Sequence, residues 1–220
     1  MNYIKSRKLE NWFGLFGVMG FIIYLIAVFV SPRAYPGYDW MGQAISDLSA
    51  LNAPSRELWM RFAFVSSACG LSFSLLICLY VQNRLNKSLR IGIYLFAILS
   101  WVDTIGYTLF PLTESGYAGT LQDVVHVFVV TFAVLILSIS TFVFIMVGGF
   151  RNYRYRSIAI FATISLCGLI VGTIGMVVAP LGYGGLMERI CIFFAQGFSL
   201  ILGLYVFFGF DLIEGILSQR

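Results

Sequence analysis

The side chains that could do chemistry are few, and they gather near one end of a set of apolar runs. Asp123 and His126 stand three apart, so on a helix they share a face. Asp103 lies near the end of the run before them. Glu188 and Arg189 open the last run, and Arg61 lies a short way into the second. Ser46 and Asp47 sit in the longest polar interruption, 35–58. An imidazole exchanges protons near neutral pH, so His126 would be general acid or base, oriented by Asp123 or Asp103. Ser46 or Thr104 would then serve as nucleophile. As ligand-binding groups, Ser46, Asp47, Arg61, Glu188 and Arg189 would complete a polar pocket. The plainer alternative is a salt-bridge network in which Arg61 and Arg189 neutralise Asp103, Asp123 and Glu188. Buried charges need partners whether or not they react.

Other chemistries find little support. One histidine, His126, cannot build a multi-histidine zinc site or a bis-histidine haem, and the carboxylates lack a calcium or magnesium spacing. No metal and no cofactor are expected. The glycines form neither a P-loop nor a dinucleotide fingerprint. Cys69, Cys78, Cys167 and Cys191 all fall within apolar runs, so no disulfide framework is expected. The net charge of +4 is not a nucleic-acid signal.

The elements that must position these residues are membrane-spanning helices. Apolar residues make up 60% of the 220 and charged ones 11%, more apolar surface than a soluble domain of this length can hide. Six runs are expected to span, at about 12–31, 58–81, 91–110, 121–148, 158–179 and 186–210. The expected fold is all-α: one polytopic bundle of six helices over residues 1–220. Lys5, Arg7, Lys8, Arg84, Lys87, Arg90, Arg151, Arg154, Arg156 and Arg220 fall on one side. Only Arg33, Arg56, Arg61 and Arg189 fall on the other. The positive-inside rule then places both termini in the cytoplasm of a plasma-membrane protein. The first run is too long for a typical signal peptide and lacks a small-residue cleavage site, so it is read as a retained helix.

The corners repeat. Thr104-Ile105-Gly106 leads to Pro111-Leu112 and Gly116-Tyr117-Ala118-Gly119. Thr173-Ile174-Gly175 leads to Pro180-Leu181 and Gly182-Tyr183-Gly184-Gly185. Pro32 and Gly37-Tyr38 form a fainter third copy. Three helical hairpins are therefore expected, each turning on the outer side, with proline ending a helix and glycine permitting the turn. Residues 39–55 become an insertion in the first hairpin, where function often resides. Asp39 is expected to cap a short interfacial helix over 40–49 whose apolar face is Trp40, Met41, Ile45 and Leu48. Ser55 is expected to cap the second span. Gly168 and Gly172 make a close-packing seam for another helix, from within the chain or from a partner.

The first span, Ile45-Ser46-Asp47-Leu48-Ser49-Ala50 followed by Pro54, the Asp123/His126 pair and Gly185-x-x-Glu188-Arg189 together resemble one family. It is the domain of unknown function 998 family of six-helix prokaryotic membrane proteins. The resemblance implies fold and location and carries over no catalytic residue. The expected function is binding of a small or lipid-like ligand in an outward-facing polar pocket, with membrane lipids as partners. The alternatives are an enzyme acting on a lipid or lipid-linked substrate through a His/Asp pair, a transporter, or an accessory or scaffold subunit. Against transport, no span carries a central proline or a mid-membrane break.

Overall fold

The computed structural model describes residues 8–210. Lys5, Arg7 and Arg220, used above for charge asymmetry, lie outside the described residues. Six helices are long and apolar enough to cross a membrane: α1 Leu9–Ala34, α2 Arg56–Tyr80, α3 Lys87–Leu109, α4 Leu121–Phe150, α5 Tyr153–Val178 and α6 Gly184–Phe208. No strand occurs among the described residues. The chain is a multi-pass helical membrane protein.

Local signals set the ends. Asn86 accepts from the Leu89 N–H at 3.0 Å and starts α3. Thr120 and Asp123 form a reciprocal capping box at the start of α4. Helix α1 closes with a 3-10 turn, Ser31–Ala34, that holds Pro32.

The closest pairings are α1 with α2, α3 with α4, and α5 with α6, which are the three expected hairpins. Helix α4 also packs on α5, α2 on α3, and α6 closes back on α1, so the six helices form a ring. Glycine makes the closing contact tight. A Cβ on Gly14 would lie 2.2 Å from the Gly203 carbonyl oxygen of α6. The Gly168/Gly172 seam is likewise internal. A Cβ on Gly168 would meet the Phe194 side chain, and one on Gly172 the Cys191 backbone nitrogen at 2.4 Å. That seam is filled by α6 of the same chain, not by a partner helix.

The corners confirm the repeat, including its faint copy. Gly37, Gly116 and Gly182 each precede a tyrosine, and all three adopt positive φ, at 76°, 88° and 91°. Only glycine takes that conformation without strain.

The apolar core is not central. Phe73, Ile77, Leu89, Ile93, Phe142, Ile145, Ile158, Phe198 and Leu202 fill the end of the ring that carries the basic 84–90 and 151–156 loops. At the other end, Ala50, Ala53 and Leu112 form a small separate cluster with Tyr35 against it. The polar residues lie between these two apolar zones.

The insertion differs from its expected form. Residues 40–49 are not one helix. Asp39 caps a turn, accepting from the Met41 N–H at 3.0 Å and the Gly42 N–H at 3.2 Å. Only Ser46–Ser49 then coils, as one 3-10 turn. Ser55 stands at the start of α2, but its hydroxyl donates to the Leu48 carbonyl at 2.9 Å and makes no cap. Ile45 and Leu48 are buried, whereas Trp40 is exposed.

Candidate functional site

The insertion is tied to two hairpins through side chains that the sequence singles out. Asp47 is buried, and its carboxylate accepts from two backbone N–H groups: Ala44 at 3.0 Å and Gly116 at 2.8 Å. Gly116 belongs to the corner of the second hairpin. That side is reinforced by Ser115, whose hydroxyl donates to the Asp47 carbonyl at 3.1 Å, and by Leu51 N–H donating to the Leu112 carbonyl at 2.9 Å. Asn52 accepts from the Ser115 N–H at 3.1 Å.

The other anchor is the start of α6. The first N–H groups of a helix lack intrahelical acceptors. Here the Gly185 and Leu186 N–H groups donate to the Gly42 and Met41 carbonyls, at 3.2 and 2.8 Å. Glu188 accepts from the Ile45 N–H. The buried Arg189 donates to the Gln43 carbonyl at 2.9 Å, the Gly185 carbonyl at 2.8 Å and the Tyr38 hydroxyl at 2.6 Å. Tyr38 passes the chain on, donating to the Ala44 carbonyl at 2.7 Å. The insertion is thus a strap latched by Asp47 on one side and by Arg189 on the other.

Burial pushes the Tyr38 hydroxyl up to about 12, while the Arg189 guanidinium pulls it down. The unfolded phenol ionises near about 10, so the folded state holds a proton that the unfolded chain has lost. The contribution is complete below about pH 10 and disappears as pH rises through about 12. Unfolding in detergent across that interval should show stability falling, and falling less steeply in Tyr38→Phe. Parallel curves would remove Tyr38 from the alkaline transition.

Asp123 and His126 share a face of α4, as their spacing requires, but no hydrogen bond joins them among the described residues. The shared face grips the corner after α3. Gln122 donates to the Pro111 carbonyl at 2.6 Å. Asp123 accepts from the Thr113 N–H at 2.7 Å, the Thr113 hydroxyl at 2.8 and 3.0 Å, and the Thr120 N–H at 3.1 Å. His126 lies against the Phe110 carbonyl through Nδ1 at 2.6 Å, so Nδ1 carries the proton. Its ring stands 4.8 Å from that of Tyr107. Around His126 helix α4 widens into a π-turn, Val125–Val130, and the His126 carbonyl accepts from both the Thr131 backbone N–H and, at 3.0 Å, the Thr131 hydroxyl. Such turns recur at functional sites.

Asp103 is not beside His126. It accepts one long bond, 3.4 Å, from Gln196 of α6. Arg61 is outside the site altogether: it pairs with Glu57 on the exposed surface of α2. The salt-bridge network offered as the plainer alternative does not form among the described residues. Among the described residues the only ion pairs are Arg61–Glu57 and Arg84–Glu10, and Arg189 is held by neutral oxygens. The Ser46 carbonyl accepts from the Ser49 hydroxyl at 2.9 Å, across the 3-10 turn.

A polar layer nevertheless exists beneath the strap. Tyr107 of α3 meets the Thr131 hydroxyl of α4 at 3.0 Å, and Glu188 of α6 meets the Ile45 N–H of the strap. Tyr107 and Gln196 are missed by motif reading because each is an ordinary residue within an apolar run. Thr120 was legible: Thr-x-x-Asp before an apolar run is a capping-box signature.

Ring, strap and polar layer define a class: a six-span membrane bundle whose core is filled at one end and whose polar residues are covered at the other. The family described as "Protein of unknown function (DUF998)" matches residues 18–205, and the chain belongs to that family. No curated protein and no solved structure matches the chain.

Proposed function

We propose that this protein lies in the plasma membrane with both termini cytoplasmic, and that it binds a small or lipid-like ligand beneath the strap. The strap would then face the exterior. One observation carries the reading. Asp103 against Gln196, Tyr107 against Thr131 and His126, and Glu188 against the strap place polar side chains of three helices between the core and the strap, and neither acid makes an ion pair among the described residues. Polar groups are costly in a bilayer and are retained there mainly where they line a site or relay.

Small molecules and lipids retained by the purified full-length chain, compared with those of Asp103→Asn, test this. The expected result is a species enriched over bulk lipid in the native protein and depleted in the variant. Identical retained species would overturn the reading. The enzymatic alternative keeps one support: His126 lies within the π-turn, with Nδ1 held and Nε2 without a hydrogen bond among the described residues. Asp123 gives it little help, because Thr113 and Thr120 already occupy both of its oxygens.

A further inference from the structure

The end of the ring away from the strap is drawn together at the finish of α4. Two adjacent glycines there let both neighbouring helices approach. A Cβ on Gly148 would lie 2.6 Å from the Leu89 backbone nitrogen of α3, and one on Gly149 would lie 2.6 Å from the Tyr155 carbonyl oxygen of α5. Hydrogen bonds fix the approach. The Asn86 side-chain amide donates to the Gly148 carbonyl at 2.8 Å, and the Ser88 hydroxyl to the Phe144 carbonyl at 2.9 Å. The Tyr155 hydroxyl donates to the Arg84 carbonyl at 3.3 Å, which joins the 84–90 and 151–156 loops directly. Lys87, Arg90, Arg151 and Arg156 are thereby gathered around one helix end. Lys87, Arg151 and Arg156 are exposed and Arg90 is half-buried, and none of the four makes an ion pair among the described residues. Glu10 is the one carboxylate at this end among the described residues, and Arg84 takes it at 2.6 Å. Arg84 is turned away to α1 in doing so, with its guanidinium 4.3 Å over the Tyr80 ring.

We propose that this face, independently of any ligand beneath the strap, binds the phosphate headgroup of an anionic phospholipid. Like charges held together without a counter-charge repel, and a phosphate relieves that repulsion while accepting from the guanidinium forks of Arg151 and Arg156. Depth selects a lipid as its source. Phe150 and Tyr153 are both exposed and flank Arg151 along the chain. An exposed phenylalanine at the end of a span belongs in hydrocarbon, and tyrosine belongs at the boundary with water. The cations beside them therefore stand at headgroup level, where basic clusters between helix ends attract anionic lipids. A zwitterionic headgroup brings its own cation and gains less.

The full-length chain in nanodiscs of mixed phosphatidylglycerol and phosphatidylcholine with matched acyl chains tests this, with retained lipid read by native mass spectrometry. Phosphatidylglycerol should be retained in preference. Arg151→Gln and Arg156→Gln should each lower that preference about fivefold, and the double variant at least about tenfold. These side chains are exposed, so the variants should fold, and chemical unfolding in detergent checks that they do. Arg84→Gln separates a site from diffuse charge. It removes one cation from the same end, but one already engaged by Glu10, so it should change the preference less than twofold. Equal loss in Arg84→Gln and Arg151→Gln would reduce the face to diffuse charge and overturn the proposal. No preference in the native protein, or full preference in the double variant, would overturn it as well.

Discussion

Arg189→Met should destabilise the protein by about 3 kcal/mol or more, the cost of leaving several buried acceptors without a donor. Methionine fills a similar volume, so packing is nearly conserved and the loss reports on hydrogen bonding. The Gln43 and Gly185 carbonyls and the Tyr38 hydroxyl all lose their shared partner. Arg189→Lys should recover only part of this, because one ammonium cannot reproduce the planar fork that reaches three oxygens at once. Chemical unfolding in a mild detergent checks both variants. A lysine variant as stable as the native protein would show that charge, not fork geometry, holds the strap.

The second large effect is expected at the opposite anchor. Asp47→Ala leaves the Ala44 and Gly116 N–H groups unpaired, at about 1–3 kcal/mol each when buried. The two anchors act on one segment, so their effects should not add. Once Arg189 is gone, losing Asp47 should cost less than it does alone. Limited proteolysis of the 39–55 segment should accelerate in either variant. Full additivity, with no change in cleavage, would mean that the strap is not a unit.

The sequence makes the scaffold readable because its signals are local. Apolar runs give all six spans, though the starts shift by a few residues; α3 begins at Lys87 rather than 91, where Asn86 caps it. Proline and glycine-tyrosine give the corners, and the positive φ of Gly37, Gly116 and Gly182 is their physical content. The site was less legible because its partners are not local. The spacing of Asp123 and His126 places them on one face but does not say that the face meets the 110–113 backbone. Residue count gives the depth of Arg61 but not its direction, and it turns outward to Glu57. Glu188 and Arg189 looked like a charge pair awaiting charged partners. Their main partners are backbone groups of 43–45, which carry no side-chain signature.

The strap was first visible only as a polar interruption. Its bonds make it a segment held on two sides, by Asp47 and by Arg189. Amide hydrogen exchange on the full-length protein in nanodiscs tests that directly. The Ile45, Gly116 and Leu186 amides, which donate to Glu188, Asp47 and Met41, should exchange slowly and lose protection together in Arg189→Met. Exchange of these amides at open-loop rates in the native protein would contradict it.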